Sequence, residues 1–190
     1  MLKHEVKSHL LVTLIWLVII TLVRLPAHFG GIGNWLLVSL PLWLGGLVGT
    51  FLLDLDHLLY VLWVYPDEPN SFQIKELIGQ NRYKEALALL VNTRYERWRL
   101  SFHNALFQPI FCIFCFWVLS SSSNLLAKGL VMAMALHLLK DEFESLFTRG
   151  EEFTRRWLFW QIKTEVPFRT QKFFLFIMLF FFLGLNLLLI

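Results

Sequence analysis

Histidine and aspartate side chains are clustered at four separate places along this chain. The residues are His9, then Asp54, Asp56 and His57, then His103, and finally His137 and Asp141. Spacings of three and four residues put the members of a cluster on one face of a helix. Imidazole nitrogens and carboxylate oxygens are the usual protein ligands of zinc, manganese and iron. The seven residues are therefore candidate ligands of a divalent metal, with zinc first and manganese or iron as alternatives.

The alternative is that these residues have purely structural roles. A His-x-x-x-Asp pair occurs often by chance, and a histidine near a membrane surface is commonly a hydrogen-bonded structural residue. Asp54 could also cap a helix or pair with a basic side chain. The joint occurrence of several clusters favours a metal site or a proton-handling site over a purely structural polar network, which stays the alternative.

The elements that carry these residues are strongly apolar. Of the 190 residues, 57% are hydrophobic, with 19 Phe and 8 Trp, and a soluble domain of this size could not bury so much apolar surface. A membrane helix needs about 17–25 mostly apolar residues. We predict an all-α integral membrane bundle of four to five transmembrane helices, forming one domain over residues 1–190. The predicted spans are about 9–23, 35–64, 103–119, 125–140 and 173–190.

Two of these spans leave the count open. The segments 103–119 and 125–140 are short, and residues 120–124 form a tight turn between them, so a re-entrant hairpin is the alternative to two full crossings. Cys112 and Cys115 lie inside this apolar stretch, where they read as small core-facing or lipid-facing residues rather than as a disulfide or a metal site.

The basic residues predict how the chain is oriented. With the N-terminus in the cytoplasm and five crossings, only Arg24 and Lys128 of the 17 Lys and Arg residues fall outside. This asymmetry fits the rule that positive charge stays on the cytoplasmic side. It also explains the net charge of +3 without nucleic acid as a partner. In this topology the starts of odd spans and the ends of even spans face the cytoplasm, so all four His and Asp clusters share one depth.

Two polar stretches have structure of their own. Over residues 71–99, apolar residues recur at helical spacing on both sides of Gly79, which predicts a cytoplasmic helix–turn–helix. Over residues 142–171, Phe153, Trp157 and Trp160 alternate with basic residues, which is typical of a helix that lies against anionic lipid. Membrane lipids are therefore the expected partners.

The clusters also carry a family resemblance. The sequence resembles the bacterial membrane-bound, metal-dependent hydrolases of the YdjM and YbcI type over about residues 8–145. Four elements match in order: Ser8-His9-Leu10-Leu11, Leu53-Asp54-Leu55-Asp56-His57, Trp98 to Asn104 around His103, and His137 to Asp141. The chain departs from the family pattern at Trp98, Phe102 and Lys140. The resemblance implies a divergent hydrolase of the bacterial inner membrane.

Two functional hypotheses follow. The first is a metal-dependent hydrolase that acts on a phosphoester or lipid-linked substrate at the cytoplasmic interface. There Arg99 would clamp a phosphate through paired donors, and Glu142, Asp54 or Asp56 would act as general base. The second is a scaffold or assembly protein in which Lys140 has turned a degenerate metal site into a salt-bridged network. Oligomeric state is not specified by the sequence.

Overall fold

The computed structural model describes residues 2–28 and 31–189, and the regular structure in this part of the chain is entirely helical. The predicted all-α class is confirmed. The helices are α1 (Leu2–His28), α2 (Ile32–Leu52), α3 (Leu55–Leu59), α4 (Pro69–Gly79), α5 (Tyr83–Asn92), α6 (Phe107–Ser121), α7 (Leu125–Glu144), α8 (Glu151–Leu158) and α9 (Phe168–Leu187). Wide π-helical turns follow α3 over Tyr60–Val64 and follow α7 over Ser145–Arg149.

Three stretches of the described chain are long and apolar enough to cross a membrane. They are Val6–Arg24, Gly33–Val64 and Phe168–Leu187. The helix α6 is apolar but has only 15 residues, which gives about 22 Å at 1.5 Å per residue and falls short of a 30 Å hydrocarbon layer. Residue 190, the last of the predicted fifth span, lies outside the described residues.

The contact between α2 and α7 is close because glycines line it. A methyl group on Gly49 would lie 2.3 Å from the carbonyl oxygen of Leu130, and one on Gly129 would lie 2.3 Å from that of Leu42. Side chains larger than hydrogen cannot fit there without separating the helices. Close approach of backbones through small residues is how helices associate in an apolar solvent.

Polar side chains tie α1 to its neighbours inside the apolar bundle. The indole Nε1 of Trp16 donates to Asn186 Oδ1 of α9 at 2.7 Å, and Trp43 Nε1 of α2 donates to Thr21 Oγ1 at 2.9 Å. Hydrogen bonds between helices compensate polar groups that lack water. Together with buried leucines and aromatic residues they hold α1, α2, α6, α7 and α9 in one main core.

A second, smaller core lies beneath the polar insertions. It contains Tyr60, Ile74 of α4, Ala86 of α5, Leu100 and Trp157 of α8. The helix–turn–helix predicted within 71–99 is confirmed as α4 and α5, with Asn81 in the turn at a φ of 59°. Residues 100–107 contribute to both cores, since Leu100 packs in the smaller core and Phe107 packs in the main one.

The segment predicted to lie on lipid is placed differently. It does form the helix α8, but Trp157, Leu158 and Phe159 are buried in the smaller core rather than turned outward. The indole Nε1 of Trp160 donates to the carbonyl oxygen of Leu100 at 3.2 Å. Trp157, expected to face lipid, therefore packs on a loop of its own chain, because an aromatic side chain can pack on protein as well as on lipid.

Candidate functional site

The helix α7 supplies two of the central side chains. His137 and Asp141 lie one turn apart, and His137 Nε2 is 3.3 Å from Asp141 Oδ2. The opposite nitrogen, Nδ1, lies 2.7 Å from the backbone carbonyl of Thr50 in α2. A carbonyl only accepts, so Nδ1 carries the proton and Nε2 of the neutral ring keeps its lone pair. The glycine contact between α2 and α7 is what brings Thr50 this close.

The third central side chain, His103, lies in a loop. It was predicted to open a span, but α6 begins only at Phe107, and Asn104 Oδ1 accepts from the backbone N–H groups of Leu106 and Phe107 at 3.1 and 3.0 Å. Asn104 therefore caps α6 and ends the loop. His103 is 1% exposed and enters the site from this loop.

Asp56 holds the loop and the ring of His103. Its carboxylate accepts from the backbone N–H groups of Ser101 at 3.1 Å and Phe102 at 2.6 Å. His103 Nδ1 lies 3.1 Å from Asp56 Oδ2. A carboxylate behind an imidazole fixes its tautomer and turns Nε2 forward, as in many metal sites. Asp56 was predicted as a ligand, but its oxygens are directed at these donors, which makes it a positioning residue.

Three ligand atoms then face one another. The Nε2 atoms of His103 and His137 are 3.5 Å apart, and Asp141 Oδ2 lies 3.3 Å from the second and 3.8 Å from the first. A tetrahedral metal with bonds of about 2.0–2.1 Å separates its ligands by about 3.3–3.4 Å. Asp141 Oδ2 is also buried without a hydrogen-bond partner. These residues fit a metal ion, which would satisfy that oxygen.

His9 of α1 reaches the same carboxylate from the other side. Its Nε2 lies 3.0 Å from Asp141 Oδ1, and its ring stacks on His137 with centroids 4.2 Å apart. The ligand atoms of His9, His137 and Asp141 all lie within 4.8 Å of one another, and the three residues are buried. This group could hold a metal ion. Two overlapping ligand sets thus share His137 and Asp141, one completed by His9 and one by His103.

Lys140 stands beside the first of these sets. Its Nζ lies 3.0 Å from His9 Nε2 and 3.5 Å from Asp141 Oδ1, and it forms a salt bridge with Glu144 at 2.5 Å. An ammonium donates to the lone pair that His9 would offer to a metal. The set completed by His103 shares Asp141, and its neighbouring cation is Arg94, 3.6 Å from Asp141 Oδ2.

Two arginines that the sequence did not single out belong to the site. Arg94, on a short 3₁₀ turn after α5, lies 3.6 Å from Asp141 Oδ2. Arg97 is 3% exposed, and its Nε donates to His57 Nδ1 at 3.2 Å. Burial lowers the pKa of Arg97 to about 10, which leaves it charged at neutral pH. In the sequence, the only feature that pointed to these two arginines was their spacing of three residues.

His57 and Arg99 contact other side chains in the structure. Because Arg97 donates to Nδ1 of His57, the neutral ring carries its proton on Nε2 and offers no lone pair to the cluster. Arg99, the predicted phosphate clamp, is exposed and stacks on Trp98 with its guanidinium carbon 4.3 Å from the ring centroid. Arg94 occupies the position beside the ligands that Arg99 was expected to take.

The last two predicted residues, Glu142 and Asp54, are placed differently relative to the cluster. Glu142, a predicted general base, is 1% exposed and neighbours Gln108 of α6; neither of its carboxylate oxygens has a hydrogen-bond partner. It lines neither cavity beside the cluster, so it is not placed to act there. Asp54 Oδ1 lies 4.0 Å from His137 Nε2, and its side chain keeps 39% exposure. Asp54 is thus the solvent-reaching carboxylate of the site.

Two cavities meet at the cluster. A polar crevice of about 30 Å³ is lined by His57, Arg94, His103 and Asp141, together with Arg149 and Trp157. A larger cavity of about 330 Å³ begins on the other side, where His9, Asp54, His57 and Arg94 form its polar end. Arg94 and His57 line both, so the ligand atoms lie between a water-sized space and an apolar one.

Comparison of the chain with protein-family models, with curated proteins and with solved structures gives no match. The function is therefore argued from the site itself.

Proposed function

We propose that this protein is a membrane-embedded, metal-dependent hydrolase that acts on a phosphoester or lipid-linked substrate at the membrane interface. One observation carries the proposal. Two buried imidazole Nε2 atoms and a buried carboxylate oxygen converge at 3.3–3.8 Å, and each imidazole is fixed from behind through Nδ1. Three protein ligands with one open position are the usual arrangement of a catalytic zinc site.

The chemistry follows from the donor set and its surroundings. Two nitrogens and one oxygen suit zinc, with manganese or iron as alternatives. Such an ion, when bound, lowers the pKa of its water and polarises a phosphoryl oxygen. The crevice of about 30 Å³ has room for about one or two water molecules, and water is the second substrate of a hydrolase.

The chain's own residues fill the other roles. Arg94 lies beside Asp141 Oδ2, and a guanidinium there would bind a phosphate through its N–H donors. Asp54, partly exposed and 4.0 Å from His137 Nε2, is the carboxylate placed to take a proton from water. His103 and His137 hold the reacting centre in one geometry because Asp56 and Thr50 prevent their rings from turning.

The membrane arrangement belongs to the same proposal. We propose four to five crossings, with α6 and α7 added to the three long apolar stretches, in a bacterial inner membrane with the N-terminus in the cytoplasm. The distribution of Lys and Arg supports this orientation. The site then lies at the cytoplasmic surface, where lipid head groups and water meet.

A scaffold is the second candidate, and Lys140 is the observation that favours it. Its ammonium lies between His9 Nε2 and Asp141 Oδ1, where it neutralises one oxygen of the central carboxylate. In that case the cluster would be a structural network of charges, and α4 and α5 would serve as a docking surface. Asp141 Oδ2 has ion-pair contacts but no hydrogen bond in such a network, which is the argument against it.

The test is the metal content of the full chain, purified from metal-replete cells and measured by elemental analysis. We expect about one ion per chain in the wild type, loss of the ion in Asp141→Asn, and retention in Asp67→Asn, an exposed loop control. Hydrolysis of a chromogenic phosphodiester should follow the metal. A wild-type protein without metal under these conditions would exclude the hydrolase and leave the scaffold.

A further inference from the structure

The larger cavity has an apolar wall built by four helices. α1, α2, α3 and α5 contribute seven apolar side chains, which are Val6, Phe51, Leu55, Leu58, Leu87, Leu90 and Val91. Its four polar residues, His9, Asp54, His57 and Arg94, all belong to the site. The cavity is therefore amphipathic along its length, with the candidate metal centre at its polar end.

The volume of the cavity limits what it can hold. An apolar cavity of about 150 Å³ is enough for benzene, so about 330 Å³ takes roughly a dozen carbon atoms. This lies at the lower end of the range of about 300–1,000 Å³ for small-molecule sites. One alkyl chain fits this space, whereas the two chains of a diacyl lipid do not.

The mouth of the cavity includes exposed residues of two candidate membrane spans. Val6 is the first residue of one span and Phe51 lies near the point where α2 ends, and both keep more than a third of their surface exposed. Leu87 of α5 also lines the cavity and is 53% exposed. These exposed side chains would let a molecule from the bilayer surface enter the cavity beside α5.

Arginine side chains at the polar end, beside the Asp54 carboxylate, bear on the choice of head group. Arg94 lines both the cavity and the crevice and lies 3.6 Å from Asp141 Oδ2. Arg149 lines the same crevice, 3.8 Å from Glu144. Guanidinium groups bind phosphate and phosphonate oxygens through paired hydrogen bonds. An anionic head at this place has its phosphorus beside the ligand atoms while its chain extends along the apolar wall.

We infer that the cavity between α1, α2, α3 and α5 binds a single alkyl chain whose phosphate head lies at Arg94, so that the substrate is a single-chain lipid phosphate ester. The inference rests on the proposed function for the reaction. Occupation of the cavity by the chain is a separate property of the fold, and it does not require a metal.

The head group rather than the chain should determine binding. A chain that leaves the bilayer for an apolar cavity exchanges one apolar environment for another and gains little free energy. Each charge-assisted hydrogen bond to the head contributes about 1.5–3 kcal/mol, a factor of about ten or more in affinity. Competition between amphiphiles with one chain and different heads is therefore the informative measurement.

The experiment uses the full chain in lipid discs and a dodecyl phosphonate that carries a photoreactive diazirine at the chain end. We expect labelling of residues 87–91 and 55–58, located by peptide mass spectrometry. Excess dodecyl phosphonate should suppress this labelling and dodecanol should not. Competition should weaken about tenfold in Arg94→Gln.

Val91→Trp and Leu87→Trp, which fill the cavity, should lose the label, whereas Tyr83→Trp, on the same helix but outside the cavity, should keep it.

The same labelling in chelator-treated protein separates this inference from the proposed function. Saturable labelling of the cavity without metal supports the chain site whether or not hydrolysis is found. Label found only on outward-facing residues of the spans, such as Leu37 and Phe180, or equal suppression by dodecanol, would overturn the inference even if the protein binds metal and hydrolyses phosphodiesters.

Discussion

His103 Nδ1 lies 3.1 Å from Asp56 Oδ2, and this contact decides which nitrogen of the ring faces the other ligands. The same carboxylate accepts two backbone N–H groups of the loop that carries the histidine. One side chain therefore fixes both the path of the loop and the tautomer of the ring. Asp56 acts on the site without offering it a ligand.

Replacing Asp56 tests this role. In Asp56→Asn the amide cannot accept from His103 and both loop N–H groups as the carboxylate does, so we expect metal affinity to fall about 10–100-fold. Titration with a chromophoric metal chelator as competitor measures the change. Asp67→Asn is the matched control and should bind as the wild type does. An unchanged affinity in Asp56→Asn would show that His103 is not a ligand.

The glycine contact gives a prediction about stability. In Gly129→Ala the new methyl group meets the Leu42 carbonyl oxygen at 2.3 Å, so α2 and α7 must separate. Overpacking of this kind costs about 1–3 kcal/mol, and the melting temperature in detergent should fall. Gly184→Ala in α9 meets nothing within 4 Å and should be neutral or slightly stabilising. Equal melting temperatures for the two variants would contradict the close contact.

The two arginines at positions 94 and 99 should differ in their effect on phosphoester hydrolysis. Arg94→Gln removes the guanidinium 3.6 Å from Asp141 Oδ2, and we expect kcat/KM to fall about 10–100-fold. Arg99→Gln removes a guanidinium that stacks on Trp98, outside the site, and should change kcat/KM little. Steady-state kinetics on a chromogenic phosphodiester measures both. The reverse order would return the phosphate role to Arg99.

Lys140 distinguishes the hydrolase from the scaffold. Two unit charges about 4 Å apart interact by about 4 kcal/mol at an effective dielectric constant of 20, so Lys140→Met should raise metal affinity at least about tenfold. Removing the ammonium also frees the lone pair of His9 Nε2. Lys128→Met, near the opposite end of α7, is the control. If Lys140→Met instead unfolds the protein without gaining metal, the charge network is structural.

Part of this arrangement was predictable from the sequence because membrane geometry is so restrictive. Spans begin and end at two depths only, so polar residues at the ends of different spans meet even when they are far apart in sequence. The predicted topology put His9 and His137 at one depth, and the two rings stack in the structure. The helical spacing of apolar residues was likewise enough to predict α4 and α5.

The roles within the cluster were not predictable, because they depend on where single atoms point. Asp56 and Asp141 look equivalent in sequence, yet loop N–H groups reach only the first. Glu142 follows Asp141 directly, but a helix turns about 100° per residue, so its carboxylate faces α6 instead of the ligands. Arg94 lies on a short 3₁₀ turn, and the position of this turn is set by tertiary contacts.

The contact of α8 with the loop of His103 has a consequence for how the molecule is made. Ala105 donates its backbone N–H to the Leu158 carbonyl at 2.8 Å, and Trp160 bonds to Leu100, so the loop is held by residues synthesised more than fifty positions later. The ring of Trp157 lies 6.0 Å from that of His103. During translation the helices that precede α8 are made while the loop is still unsupported. The centre is completed only when the chain beyond residue 160 has emerged from the ribosome, which makes it one of the last parts of the protein to mature.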